Sequence, residues 1–177
     1  MSDSQSKVIN SYLTFNLGDV MFASHVENVI KILEMQHITV VPRTPPFMKG
    51  VINLRGNVLP VIDARIKFGI PPTDYTKKTC ILVLSIQIDE EQVEVGAIVD
   101  AVNDVLEYDF DKILPSPGLG SKYKSGFIEG VMKVNDNFIM ILNMNTVFST
   151  EEIIDLQEQT EKTVEKLKKE KTRKKVI

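Results

Sequence analysis

Few side chains in this sequence have the types and spacing that catalysis or metal binding requires. The two histidines, His25 and His37, stand twelve residues apart without a cysteine or carboxylate at ligand spacing, which disfavours a zinc site. Asp109 and Asp111 flank Phe110 without the other ligand positions of a calcium loop. The chain contains no P-loop, GxGxxG or GxSxG motif. The sequence therefore predicts no metal, no cofactor and no enzymatic activity.

The cysteine and the hydropathy of the chain indicate its compartment. Cys80 is the single cysteine and lies in the apolar run TCILVLSI, which favours a buried thiol over a catalytic one. No apolar run approaches the roughly 18 residues of a membrane span. The first residues, MSDSQSKV, lack the basic end and apolar stretch of a signal peptide. We expect a cytoplasmic location.

Charge is distributed unevenly along the chain. Residues 162–175 carry eight Lys or Arg against Glu165 and Glu170, a local charge of +6. The other 13 basic and 22 acidic residues leave the body of the protein at −9. An acidic body disfavours a nucleic-acid-binding domain, which needs a basic face. We interpret the basic end as a solvated tail. A small-barrel protein that binds nucleic acid through this tail stays open as the alternative.

The sequence contains an internal repeat, which covers the elements that would position any binding residue. Residues 22–35 align without a gap on residues 95–108, pairing Val26 with Val99, and Ile32 with Val105. Such a repeat predicts two similar structural units. Positions that both copies share are interpreted as maintaining the fold. A residue that differs between the two copies is expected to serve a purpose other than maintaining the common fold.

Each copy predicts about five short strands, enough for a small closed barrel. Residues 13–17, LTFNL, alternate apolar and polar side chains as a strand does. A unit of about 65 residues is marginally stable alone, so we expect the two to share a buried face. The predicted organisation is a disordered segment 1–10, a first barrel at about 11–72, a second at about 78–148, and a helix with a basic tail at 149–177. Ser149 and Glu152 form a capping box that begins this helix.

The two copies differ most at one hairpin turn. Residues 53–56, NLRG, correspond to residues 133–136, KVND, so only the first copy places a guanidinium on the turn. Arg55 is either a surface arginine paired with a carboxylate, which contributes little, or an anchor for another protein. Pro60, opposite Met140 in the alignment, cannot donate to a sheet ladder and predicts a sheet edge or a bulge.

The run FMKGVINLRGNVLPVIDARIKFGI, from Phe47 to Ile70, resembles the chemotaxis coupling protein family, CheW. SYLTFNLGD near the start and VGAIVDAVNDVLE share the likeness, which extends from about Ser11 to Phe148. The resemblance implies an all-β fold of two tandem five-stranded SH3-like barrels without catalytic activity. It also implies an adaptor that bridges the cytoplasmic tip of chemoreceptors to the regulatory domain of the histidine kinase CheA. Such an adaptor is recruited to receptor arrays.

The resemblance also implies which residues bind each partner. Leu13, Val26 and Val29 match the apolar kinase-binding surface of the first barrel. Arg55, Ile81 and Gly96 match positions of receptor contact near the groove between the barrels. Lys31 stands where the family often has an acidic residue, which implies a different choice of kinase or receptor. The basic C-terminal extension lies beyond the family motif.

Overall fold

The computed structural model describes residues 8–116 and 126–174, and ten β-strands dominate that part of the chain. The first copy supplies β1 (Ile9–Leu17), β2 (Val20–His25), β3 (Val29–Glu34), β4 (Met48–Leu54) and β5 (Asn57–Asp63). The second supplies β6 (Cys80–Ile88), β7 (Glu91–Val99), β8 (Ala101–Asp109), β9 (Ile128–Val134) and β10 (Asn137–Leu142). Single 3₁₀ turns span Val26–Asn28 and Phe110–Lys112, and the helices are α1 (Ala64–Lys67), α2 (Met144–Val147) and α3 (Thr150–Lys174). The predicted all-β class with five strands per copy is confirmed.

The strands form two five-stranded sheets that repeat one topology. Sheet A has the order β8-β1-β2-β10-β9, and sheet B has the order β3-β6-β7-β5-β4. Replacing each strand by its counterpart in the other copy, five strands away, converts one order into the other. The internal repeat is therefore also a repeat of the topology.

Each sheet takes strands from both copies, which the predicted domain boundaries did not anticipate. The first copy sends β1 and β2 to sheet A and β3, β4 and β5 to sheet B, and the second copy does the reverse. The ranges 11–72 and 78–148 therefore do not coincide with the two sheets. Two parallel pairs, β5 with β7 and β2 with β10, join strands of different copies.

The chain ends also differ from the predicted boundaries. Ile9 and Asn10 pair with β8, so the first strand begins inside the segment predicted to be disordered. Residues 1–7 of that segment lie outside the described residues, as do residues 175–177 of the tail. The helix continues as far as Lys174, through most of the basic stretch.

Three apolar clusters account for the core. One lies within sheet B and includes Ile81 and Leu59, and another lies within sheet A and includes Tyr12 and Met132. The largest has members from both sheets and from α3, and it joins the two halves. Because each sheet contributes to a cluster of its own and to the cluster shared between the sheets, the small units gain apolar burial that neither supplies alone.

Helix α3 begins with the predicted capping box. The Ser149 N–H donates to Glu152 Oε2, and the Glu152 N–H donates to Ser149 Oγ, each at 3.1 Å. Glu152 also accepts from Lys67 Nζ at 2.7 Å, and Ile153 and Leu156 are buried in the cluster between the sheets. The helix thus docks on strand β5 and, through the Glu152–Lys67 ion pair, on the adjoining α1. In the described part of the chain, no helix is both long and apolar enough to cross a membrane.

Candidate protein-interaction surfaces

Arg55 is displayed at the tip of the β4–β5 hairpin. Leu54 pairs with Asn57, so Arg55 and Gly56 form a two-residue turn. Both have positive φ, 51° and 84° respectively. Asn53 Oδ1 accepts from the Gly56 N–H at 3.0 Å and fixes the turn. The guanidinium is exposed and makes no ion pair with any residue in the described ranges.

The conformation of Arg55 is costly for a side chain with a Cβ. A left-handed backbone costs about 1–2 kcal/mol for most residues, whereas asparagine and glycine adopt it readily. The matching turn of the second copy has Asn135 and Asp136 at φ 47° and 63°, residues suited to it. An unpaired arginine held at this cost on a projecting turn is a candidate for contact with another molecule.

The predicted kinase-binding residues lie close together but differ in exposure. Val26 begins the 3₁₀ turn after β2 and is 38% exposed. Val29 is half-buried opposite Leu84, and Leu13 is buried in the cluster between the sheets. Leu13 pairs with Ser24, two residues before Val26. Val26 therefore offers most of the accessible surface of the three, whereas Leu13 belongs to the buried core.

Edge strand β3 extends this apolar surface. Its residues alternate between half-buried and exposed, and Ile30 and Ile32 are on the exposed side. Ile32 had been interpreted as a fold-maintaining position because Val105 matches it in the repeat. Both are in fact exposed, at 51% and 58%. The sequence of β3, VIKILE, gives no signal for this, because Lys31 lies on the half-buried side while its apolar neighbours Ile30 and Ile32 lie on the exposed side.

Two of the predicted receptor-binding residues are enclosed in sheet B. Ile81 has no exposed surface and belongs to the apolar cluster of that sheet. A Cβ added to Gly96 would lie 3.0 Å from Ile81 Cγ2 and 3.3 Å from side-chain atoms of Leu59 and Val61. Glycine therefore lets β5, β6 and β7 approach closely. Their predicted contact with a receptor stays a prediction, and it requires that they act by supporting the hairpin that carries Arg55.

Pro60 marks the point where β5 and β7 separate. The β5–β7 pairing starts at Val61 with Gly96, whereas the matching pair of sheet A starts one residue earlier, at Met140. β5 is an inner strand, so the predicted sheet edge is wrong, but Pro60 has a ladder partner only on β4. A cavity of about 320 Å³ lies here between β5, β7 and α3.

A buried ionic network that no sequence pattern predicted links the two sheets. Asp63 accepts from Arg65 Nε at 3.1 Å and from Arg65 Nη2 at 2.9 Å, and both residues are almost fully buried. Arg65 Nη1 donates to Asp100 Oδ1 at 3.0 Å and to the Thr73 carbonyl at 2.8 Å. Asp63 and burial act on the pKa of Arg65 in opposite directions, and the hydrogen bonds to Asp63 prevail and raise it.

The network fixes three separate segments of chain. Asp100, at the junction of β7 and β8, also accepts from the N–H of Gly18 in the β1–β2 turn. Thr73 belongs to the connection between the copies. The repeat predicts no such network in the second copy, because Asn143 and Asn145 replace Asp63 and Arg65. This difference between the copies is the signal in the sequence that distinguishes Asp63 and Arg65 from residues of the common fold.

The described residues contain no cluster of three His, Cys, Asp or Glu side chains able to hold a metal ion. His25 instead contacts Glu129 through Nε2 at 3.0 Å. Burial raises the pKa of the Cys80 thiol, which makes the nucleophilic thiolate less accessible.

Comparisons with known proteins identify the family. The model of the CheW-like domain matches residues 11–152. The probable chemotaxis protein CheW of Rhizobium etli is 33% identical over 140 residues, covering 79% of this chain and 88% of that protein. The chemotaxis protein CheW of Bacillus subtilis is 33% identical over 139 residues, covering 78% and 86%.

A solved structure agrees with both the fold and the family. The crystal structure of the scaffolding protein TtCheW from Thermoanaerobacter tengcongensis superposes with a TM-score of 0.72 and 30% sequence identity. The match covers 82% of this chain and 96% of that one. The matched family range ends within the first turn of α3, so most of that helix is additional to the family domain. The chain belongs to the CheW-like family, whose members are chemotaxis coupling adaptors.

Proposed function

We propose that this adaptor links the cytoplasmic tips of chemoreceptors to the regulatory domain of the histidine kinase CheA, without catalysing a reaction itself. The observation that carries the proposal is the unpaired Arg55 on its strained turn, on the same sheet as the exposed apolar strand β3. Both features belong to a domain of the CheW-like family. The proposal places the protein in the cytoplasm, recruited to membrane-associated or cytoplasmic receptor arrays.

The kinase-binding surface is proposed to comprise Val26, Val29 and the buried Leu13. Val26→Asp tests it best, because Val26 is exposed and a charge there costs the fold little, whereas Val29→Asp places a charge on a half-buried position. Val105→Asp is the matched control, since it makes the same change at an exposed valine of sheet A. We expect Val26→Asp to weaken binding to a purified CheA regulatory domain at least about tenfold, with Val105→Asp close to the unmodified protein.

Receptor binding is proposed to depend on Arg55, with Ile81 and Gly96 holding the strands beneath it. Arg55→Glu reverses the charge, and Arg55→Asn removes it while suiting the turn. Both should reduce capture by a receptor-tip fragment at least about tenfold, with kinase binding unchanged. The adaptor proposal fails if the unmodified protein binds neither kinase nor receptor fragment at micromolar concentrations.

The alternative function is nucleic-acid binding through the basic tail. Only the positive charge of that tail supports it. It predicts binding that weakens steeply with salt and disappears on truncation after residue 161.

Lys31, half-buried between Ile30 and Ile32, is proposed to affect which kinase or receptor binds. Lys31→Glu tests this by a change in the relative affinity for different CheA regulatory domains.

A further inference from the structure

The second half of α3 presents a stripe of cations. The helix is docked as far as Thr160, which is buried, and from Glu161 onward nearly all of its side chains are exposed. The cationic stripe consists of Lys162, Lys166, Lys169 and Arg173. Their spacing of four, three and four residues places them on one side of the helix, over about 16 Å. No residue of the stripe makes an ion pair with any other residue of the described ranges.

The stripe borders a groove with an apolar floor. The groove has a volume of about 240 Å³ and lies between residues 39–42 and α3. Val40, Pro42 and Leu167 contribute apolar surface, and Val40 is 76% exposed. Lys162 and Lys166 line the groove from the helix together with one carboxylate, Glu170, so cations outnumber anions there. It therefore suits a projecting segment that carries carboxylates and some apolar surface.

The chain itself has such a segment at the β6–β7 hairpin. Ile88 pairs with Glu91, so Asp89 and Glu90 form a two-residue tip, and three consecutive carboxylates are exposed there. Ile88, at the base of the tip, is only partly buried and supplies apolar surface. None of the three carboxylates makes an ion pair within the part of the chain that the structure describes.

The tip and the stripe face different sides of α3. Residues 92–94, which follow the tip, line a cavity with Gln157 and Glu161 of the helix. Gln157 and Glu161 each precede a stripe residue by five positions, about 140° around the helix. The hairpin therefore approaches its own helix on the side away from the stripe, and the two charged surfaces do not satisfy each other within one chain.

We propose that the groove beside α3 binds the β6–β7 hairpin tip of a second copy of this chain. The carboxylates of the tip pair with the cationic stripe, and its apolar base covers Val40 and Leu167. The two surfaces are different, so the contact is head-to-tail and leaves a free tip and a free groove at the ends of each assembly. The inference is independent of the proposed function, because it involves neither kinase nor receptor.

Charge reversal on each surface tests the proposal by sedimentation velocity with the full chain. At about 0.01 M salt the Debye length is about 30 Å, which favours such contacts. We expect the unmodified chain to self-associate reversibly and to dissociate as salt rises. Lys162→Glu/Lys166→Glu/Lys169→Glu should weaken association at least about tenfold, and Asp89→Lys/Glu90→Lys/Glu91→Lys should do the same. An equimolar mixture of the two variants should associate again, because the reversed surfaces complement each other.

A matched control separates the stripe from the net charge of the helix. Lys168→Glu/Lys171→Glu/Lys174→Glu makes the same change in charge on other sides of α3 and should leave self-association within about twofold. Circular dichroism of each variant verifies that α3 is retained. The proposal is overturned if the unmodified chain stays monomeric, if the control variant is as weak as the stripe variant, or if the mixture fails to associate. Loss of association with the stripe variant but not the hairpin variant overturns it too, because the occupant is then a different acidic segment.

Discussion

Arg55 and Asn135 occupy equivalent turns with nearly the same backbone conformation. Exchanging their side chains therefore measures how much an arginine in this conformation lowers the free energy of unfolding. Arg55→Asn should stabilise the fold by about 0.5–1 kcal/mol, because asparagine adopts positive φ more readily. Asn135→Arg should destabilise it by a similar amount. Urea unfolding of both variants measures the two changes. Equal stability of all three proteins would show that Arg55 is not strained, and would remove one reason for treating it as a binding residue.

Tyr12 is a buried phenol whose oxygen has no hydrogen-bond partner among the described residues. Burial raises its pKa, and the Glu129 carboxylate adds to the rise while Asn10 opposes it. Tyr12→Phe removes an unsatisfied polar group, and we expect stability at neutral pH to increase by about 1 kcal/mol. Tyr108→Phe is the control, because the Tyr108 hydroxyl hydrogen-bonds the backbone of Lys133 at both N–H and C=O. That variant should lose stability.

The raised pKa of Tyr12 also predicts a dependence on alkaline pH. The unfolded chain loses its phenolic proton at about pH 10, before the folded chain does, so ionisation favours unfolding. The stability due to the protonated phenol is therefore complete below about pH 10 and is lost above it. Unfolding midpoints measured from pH 8 to pH 11 should fall less steeply for Tyr12→Phe than for the unmodified chain. Parallel curves would contradict the assignment.

At the scale of elements, α3 has two halves with different roles. Truncation after residue 160 removes exposed side chains apart from the half-buried Thr163 and Val164, and stability should change by less than about 0.5 kcal/mol. Truncation after residue 148 also removes Ile153 and Leu156, each worth about 1.5–3 kcal/mol of apolar burial. It also removes the ion pair of Glu152 with Lys67. Thermal unfolding of the two truncated chains should therefore show a midpoint near the original for the first and a much lower one for the second.

The sequence predicted individual strands and hairpins better than it predicted their partners. Period-two alternation and turn residues such as Gly56 and Asn135 are local signals, and the hairpins formed where those signals lie. Arg65 was missed because its partners come from separate segments: Asp63 at the end of β5, the Thr73 carbonyl in the connection between the copies, and Asp100 thirty-five residues away. A search for catalytic groups does not identify a charge that is buried and fully paired. Which sheet a strand joins is likewise a non-local property.

At the scale of the whole molecule, the exchange of strands makes the two copies depend on each other. Sheet A needs β1 and β2 from the first copy to join β8 to β10, and sheet B needs β6 and β7 from the second. The cluster between the sheets likewise draws residues from both copies. The network around Arg65 adds a connection from α1 to the β7–β8 junction. The repeat therefore describes one folding unit, although each copy encodes five strands.

Dividing the chain between Lys77 and Lys78, in the exposed connection between the copies, tests this dependence. Fragments 1–77 and 78–177 each lack at least two strands of both sheets, so each should be largely unfolded alone. Mixing them should restore a one-to-one complex with the circular dichroism spectrum of the intact chain, because the connection itself contributes little apolar burial. Two independent barrels would give the opposite result, in which each fragment folds alone and mixing leaves both spectra unchanged. A variant pair that carries Arg65→Met in the first fragment should associate more weakly, because the buried Asp63 carboxylate then lacks its cation.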